Sequence, residues 1–245
     1  MSMSRVGKEI IRHWIAKTGL SRLHLRIRKA RGQNVDHLFA DSLAERFSLI
    51  YENRVWLNGR QSGSRSGLGS ELENTAPIRI GIPELLKSIG SQTVLDVGCG
   101  DFHWMKEVQI PCSYVGVDIV QQVVEANIAR YGSQNRTFHT LDATCDPLPR
   151  ADTVLCREVL FHLSFSDVWR LVDNIRKSGA SALVATNDNG LTLNADILSG
   201  DFRMLNLQKP PFSFPLPILS IPDSCVTPGR VLAVWMVSSL PHESR

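Results

Sequence analysis

From Thr93 to Met236, short runs rich in β-branched residues alternate with segments of helical period, and this alternation constrains the fold more than any other feature. The runs TVLDVG, SYVGVDI, RTFHTLDA, DTVLCREV and ASALVATN read as strands, with helices expected near residues 102–108, 120–131 and 166–178. Apolar strands joined by helical crossovers belong in a parallel sheet covered on both faces. The expected architecture is α/β and doubly wound. The last run, RVLAVWMVSSL, follows a segment (208–228) holding six of the twelve prolines. Proline cannot donate to a central ladder, so that segment is expected to be an ordered loop or sheet edge, with the final strand returning antiparallel.

Ahead of the alternation, residues 36–56 read as one helix with Leu38, Leu43, Phe47 and Ile50 on one side. Residues 61–75 (QSGSRSGLGSELENT) carry Ser and Gly at a density that marks either a linker or a mobile flap. Pro77 is expected to open a further helix that closes at Gly90. The division expected is therefore a helical extension over 1–60, the flap or linker over 61–76, and the main domain over 77–245.

The chain has 245 residues, 43% hydrophobic and 21% charged, enough for one full core. Its net charge of +3 hides an asymmetry, because residues 1–31 carry nine Lys or Arg against Glu9 alone. That segment is +8 and the remainder −5. Ile10, Ile11, Trp14, Ile15, Leu20, Leu23 and Ile27 recur among those charges at helical spacing. Such a basic amphipathic stretch suits an anionic membrane surface, nucleic acid, or simple packing of one face on the main domain. Charges interrupt every candidate signal core, so no secretory signal is expected. The longest apolar run, Val231 to Val237, is far short of the roughly 18 to 20 residues that span a bilayer. Five scattered cysteines (99, 112, 145, 156 and 225) without a C-x-x-C pair indicate neither a disulfide framework nor a zinc site, and fit a reducing cytoplasm.

In a doubly wound sheet, ligands bind at the carboxyl ends of the strands beside the first one. There the sequence reads VLDVGCGDFHWM. Gly98 and Gly100 begin a dinucleotide fingerprint whose third glycine is replaced by His103. Asp118 ends the second strand twenty residues after Gly98, where a carboxylate takes the hydroxyls of a ribose, and Asp142 ends the third. Asp101 would repel a diphosphate in the turn, whereas the sulfonium and ammonium of S-adenosylmethionine accommodate carboxylates. The Walker pattern is absent and the acids show no metal-binding spacing, so no metal is expected.

These residues resemble the class I S-adenosylmethionine-dependent methyltransferases, through VLDVGCGD, YVGVDI, LDAT and DTVLCREVLFHLS. A closer resemblance, over roughly residues 47–237, is to small bacterial methyltransferases associated with glycan and cell-surface biosynthesis. It rests on SGLGS, TAPIRIGIPELL, CGDFHWMK, LCREVLFHLSF, NADILSGDFR, PPFSFPLP and VLAVW. The resemblance implies a seven-stranded, mostly parallel Rossmann-like sheet with its last strand antiparallel. It implies cofactor contacts from Asp96, Gly98, Cys99, Gly100, Asp101, Asp118, Ile119, Asp142, Ala143 and Arg157, with Arg79 on the methionine carboxylate.

Methyl transfer to a hydroxyl is largely positioning plus removal of one proton. The expected catalytic residues are His162, Glu158 and Asp188 at strand ends four and five, with Glu158 one helical turn before His162 and raising its pKa. His103, Trp104, Asn187, Asp196 and Arg203 are expected to bind substrate. Competing readings are plain packing for His162 and Trp104, and a surface ion pair for Asp196 and Arg203. An Asn/Asp-Pro-Pro-aromatic motif is missing after strand four, which disfavours base methylation and nucleic-acid partners. The expected function is methylation of a sugar hydroxyl on a glycan or glycolipid precursor by a cytoplasmic enzyme, peripheral at the inner face of the membrane. A non-catalytic S-adenosylmethionine-binding accessory protein and a methyltransferase for another small molecule are the alternatives.

Overall fold

The computed structural model describes residues 21–57 and 59–243. Seven strands, β1 (Thr93–Val97), β2 (Ser113–Asp118), β3 (Arg136–Thr140), β4 (Thr153–Cys156), β5 (Ala182–Asp188), β6 (Leu219–Pro222) and β7 (Arg230–Met236), form one sheet in the order β3-β2-β1-β4-β5-β7-β6. Strands β1 to β5 run parallel, and β7 pairs antiparallel with both β5 and β6. The doubly wound sheet with its antiparallel return is the one expected. Strands β4 and β5 are buried at every position, as a sheet covered on both faces requires.

The helices are α1 (Ser21–Ala30), α2 (Leu43–Glu52), α3 (Leu72–Ser88), α4 (Gln121–Tyr131) and α5 (Phe165–Ser178). Helix α5 is delimited by its ends: the Ser164 hydroxyl accepts from Asp167 N, and Gly179 follows in the left-handed conformation. Its buried face (Val168, Leu171, Val172, Ile175) packs with Leu183, Ala185 and Trp235. On the other face Ile78, Ile82, Leu85 and Leu86 of α3 and Val124 of α4 pack with Val94, Val184 and Val234. Strand order reverses between β1 and β4, which opens the crevice where ligands bind.

Several elements differ from expectation. Helix α3 begins at Leu72, five residues before Pro77, and both Pro77 and Pro83 lie inside it. Each removes one amide donor, leaving the carbonyls of Glu73 and Arg79 without their helical partners. The helix expected near 102–108 shrinks to a 3₁₀ turn at Met105–Glu107. Phe102 stands in the left-handed region (φ 57°), its ring buried among those of Tyr114, Tyr131 and Phe138. The helix expected over 36–56 is divided into a 3₁₀ turn (Asp36–Phe39), α2 and a second 3₁₀ turn (Val55–Leu57). The Ser42 hydroxyl caps α2 by accepting from Glu45 N at 3.1 Å, a local bond that restarts the helix.

Most of the basic amphipathic stretch, residues 1–20, lies outside the described residues. The described part, α1, docks through Leu25 against Val35, Leu38 and Leu198, and through Arg28, whose guanidinium meets Asp201 at 2.5 and 3.1 Å. Leu23 and Ile27 are exposed. The proline-rich segment is ordered, and its strand β6 forms the sheet edge with Pro222 as its last residue. Among the described residues no helix is long and apolar enough to cross a membrane.

Candidate cofactor and acceptor site

The turn after β1 is held mainly by backbone. The amides of Gly98 and Cys99 donate to the Val117 carbonyl at 2.8 and 3.0 Å, and Asn127 Nδ2 donates to the Gly100 carbonyl at 2.7 Å. Asp118 accepts Gly100 N on one carboxylate oxygen and Val120 N on the other, both at 3.0 Å. Each oxygen keeps a second acceptor direction, the capacity a vicinal diol needs. Gly100 is left-handed (φ 58°), and a Cβ there would stand 2.5 Å from Ser66 Oγ. Only glycine allows the segment above it to come this close.

That segment is the Ser/Gly stretch, and one carboxylate fastens it. Asp101 accepts Ser64 Oγ on both oxygens at 3.0 Å, Arg65 N at 2.6 Å, Ser66 Oγ at 3.1 Å and His103 N at 3.3 Å. Glu71 accepts Ser64 N at 3.0 Å and the Ser62 hydroxyl, and Ser66 shares a 2.7 Å bond with Tyr51 Oη. Replacing Asp101 by alanine is expected to raise amide hydrogen exchange at least tenfold across 62–71 while leaving β1 and β4 protected. Unchanged exchange in that stretch would remove Asp101 from this role.

Between the flap and the strand ends lies a cavity of about 1040 Å³, its open mouth included. Asp96 lines its floor, buried and accepting Tyr114 Oη at 2.5 Å. Burial raises its carboxyl to about 7, the Tyr114 hydroxyl and Arg157 acting against that and Asp118 adding to it. Burial also raises Asp118, partly offset by its backbone donors. At the end of β4, Arg157 sends Nε and Nη2 to the two Asp223 oxygens at 3.0 Å, and Nη2 also to the Gly69 carbonyl at 2.9 Å. Glu158 sits at φ 57° with Oε1 accepting Arg230 Nη1 at 2.9 Å and Oε2 at 3.7 Å from Arg157 Nη1. Holding a non-glycine residue there costs about 1–3 kcal/mol, and surrounding contacts must enforce it. A Cβ on Gly69 would lie 1.9 Å from Glu158 Oε2, so the flap rests directly on that carboxylate.

His162 belongs to the 3₁₀ turn Leu160–His162, and its Nδ1 is 2.8 Å from the Asp201 carbonyl. A carbonyl only accepts, so Nδ1 carries the hydrogen and Nε2 is the bare acceptor nitrogen. Burial lowers its pKa to about 4, outweighing the upward pull of the Asp201 carbonyl and of Glu158. This corrects the sequence expectation of a raised value. The ring lies 5.0 Å from that of Trp56.

Of the residues expected at the site, Asp96, Gly98, Cys99, Gly100, Asp101, Trp104, Asp118, Ile119, Asp142, Ala143, Arg157, Glu158 and His162 line the cavity. Six do not. Arg79 donates to the Leu72 carbonyl on its own helix, and the His103 ring lies under the flap, where a Cβ on Gly63 would come within 3.0 Å. Asp188 is buried against Arg230 (2.8 Å) and Leu205 N (2.9 Å), and Asn187 accepts Leu207 N at 2.6 Å. Asp196 accepts Phe165 N and Ile197 N, both at 2.8 Å, while Arg203 donates to the Leu163 carbonyl at 2.5 Å and stacks over Phe165. These polar groups hold the loops after β4 and β5 in shape. The wall supplied by Leu43, Phe47, Tyr51 and Trp56 was not expected in the site, whereas Ser66 and Ser70 bring to it the Ser/Gly stretch for which a flap was one of the two readings. The apolar side of α2 was visible in sequence, but its partner was not.

Residues 94–181 match the model of the methyltransferase domain family. The matched span covers about a third of the chain and carries β1 to β4 with the glycine turn beneath Asp118, and it supports reading the site as that of a class I S-adenosylmethionine-dependent methyltransferase domain. Similar solved structures include human N-acetylserotonin methyltransferase in complex with SAM, at 20% identity and TM-score 0.48 over 71% of this chain and 51% of that one. Magnesium protoporphyrin IX methyltransferase from Synechocystis PCC 6803, with bound SAH, is 19% identical with TM-score 0.41 over 58% of this chain and 67% of the other. The N-methyltransferase NodS from Bradyrhizobium japonicum WM9 is 17% identical, with TM-score 0.40 over 48% and 71%. The alignment with the human enzyme spans about half of that enzyme's length. No curated protein matches the sequence.

The cavity suits the cofactor of that class. Its acids include Asp96, Asp118 and Asp142, and its one cationic lining residue among those described, Arg157, is already paired. Such a lining receives a sulfonium and an ammonium, and repels a diphosphate. Among the described residues no cluster of His, Cys, Asp or Glu is arranged to hold a metal.

Proposed function

We propose that this protein transfers a methyl group from S-adenosylmethionine to a sugar hydroxyl on a glycan or glycolipid precursor. The observation that carries the reading is His162: a neutral imidazole with its tautomer held by the Asp201 carbonyl, in the same cavity as the glycine turn. Bound over that turn, the cofactor supplies an activated methyl carbon. Asp118 receives the ribose hydroxyls, Asp142 and Ala143 border the adenine, Asp96 faces the amino end, and the flap excludes water. His162 Nε2 takes the hydroxyl's proton as the oxygen gains the methyl group. One positive charge then appears on the imidazole as one disappears at the donor sulfur, so the enclosed charge stays constant.

Asp118→Asn is expected to weaken cofactor binding roughly 10- to 100-fold in calorimetry, the effect of about one or two charge-assisted hydrogen bonds. Wild-type affinity in that variant would remove the ribose role. Cofactor affinity is also expected to rise with pH up to about 7 and then level off, because the cation favours ionised Asp96 and its proton must leave. Calorimetry in buffers of different ionisation enthalpy reads that proton release directly. A pH-independent affinity would separate Asp96 from the bound cation.

The basic face of α1 extends the proposal to an anionic membrane surface. Arg26 and Arg31 are exposed, while Leu25 and Arg28 hold the helix down. Charge reversal of Arg26 and Arg31 is expected to reduce flotation with phosphatidylglycerol vesicles several-fold without changing the melting temperature. Methyl transfer from radiolabelled cofactor to a panel of neutral glycans and glycolipids tests the acceptor itself.

A further inference from the structure

We infer that the acceptor enters as an uncharged ring, and that the cavity rejects acceptors carrying a phosphate or carboxylate on the ring to be methylated. This deepens, and rests on, the methyl-transfer reading above. The wall facing the strand ends is aromatic: Trp56 lies 5.0 Å from His162 with the ring planes 31° apart, 6.2 Å from Phe47, and 5.3 Å from Tyr51 in an edge contact. Phe47 and Trp56 are only partly buried and line the cavity, so ring faces remain for an acceptor to stack on.

Charge is distributed just as asymmetrically. Five acidic side chains line the same cavity, from Asp96, Asp101, Asp118, Asp142 and Glu158. Among the described residues the one cationic lining side chain is Arg157, 4% exposed and engaged by Asp223, Glu158 and the Gly69 carbonyl. His162 adds no positive charge near neutral pH. An anionic group brought beside Glu158 and His162 would lose its water, find no free cation, and face a carboxylate already in place. Asp101 and Glu158 are held by backbone amides, hydroxyls and arginines, and Asp96, Asp118 and Asp142 are taken up by the cofactor in this reading, so none of them calls for a cationic acceptor. What remains is a neutral ring whose hydroxyl meets Nε2. Any anionic carrier group must trail out of the mouth.

A matched pair of probes tests this: phenyl β-D-glucoside and phenyl β-D-glucuronide differ by a carboxylate on the same frame. Both are titrated, by tryptophan fluorescence, into the full chain saturated with S-adenosylhomocysteine, after calorimetry has established that this complex forms. The expected result is saturable binding of the glucoside, at least tenfold weaker binding of the glucuronide, and loss of the glucoside signal in Trp56→Leu. Equal affinities, tighter binding of the glucuronide, or no glucoside binding in the wild type overturns the inference while leaving the cofactor site standing. Failure of S-adenosylhomocysteine to bind overturns the methyl-transfer reading beneath it.

Discussion

Arg157→Met is expected to lower the melting temperature by on the order of 10 °C in scanning calorimetry. The guanidinium and Asp223 are 4% and 2% exposed, and their paired bonds at 3.0 Å join β4 to the residue after β6. Removing one partner of a buried pair costs about 3–5 kcal/mol because the other charge stays behind without compensation. For a domain of this size each kcal/mol moves the transition by roughly 2–4 °C. Burial already raises Asp223, with Arg157 pulling against it, so the variant carboxyl should rise further. The sign follows: an acid whose folded pKa is raised stabilises the fold relative to its ionised form as pH falls, so the deficit should shrink on acidification. Asp223→Leu in the same chain is expected to restore most of the loss, since two matched apolar groups leave nothing unpaired. A shift below about 2 °C in the single variant would show that the pair is dispensable. The flap should loosen as well, because Arg157 also holds the Gly69 carbonyl.

His162→Ala is expected to reduce kcat by about 100- to 10,000-fold, the range of a positioned proton acceptor, with cofactor affinity changed less than threefold. The pH profile separates this role from packing. With a folded pKa of about 4, wild-type kcat at saturating cofactor should stay level from neutral pH down to about 5 and fall only below that. A raised value, as the sequence spacing to Glu158 implied, would start the fall above the ordinary histidine value of about 6.5. Stability follows the same group. Because its folded pKa is depressed, its contribution is complete above about 6.5 and is lost as pH falls from there toward about 4. A kcat within threefold of wild type in the alanine variant would return His162 to a packing role.

The centre of the sheet was legible because its strands β4 and β5 are buried on both faces and therefore read as continuous apolar runs. Asp118 was legible for the same reason, standing at the end of such a run, whereas Asp142 lies two residues past the largely exposed edge strand β3 and was read from its place in the alternation. What failed to show in the sequence was set by pairings distant along the chain. Asp188 stands at a strand end like Asp118, yet Arg230 faces it across the antiparallel β5–β7 pair and takes its charge out of play. Glu158 and His162 have helical spacing, but the left-handed conformation of Glu158 breaks the helix, and burial reverses the expected shift of the imidazole. Trp104 and not His103 lines the cavity, and the segment that carries both passes through the left-handed Phe102 in place of the expected helix. The aromatic wall is the largest omission. The spacing of Leu43, Phe47 and Ile50 marks an apolar face and says nothing of what it covers. In the fold Leu43 and Phe47 of α2, with Tyr51 and Trp56, line the cavity, and Tyr51 is bonded there to Ser66 of the flap.

Calorimetric titration of the full chain with S-adenosylmethionine and S-adenosylhomocysteine tests the central claim most directly. One site per chain, with the two ligands competing and NAD unable to displace either, is the predicted result. Absence of binding by both, or displacement by NAD, would contradict the assignment of the glycine turn and Asp118 to a cationic nucleoside.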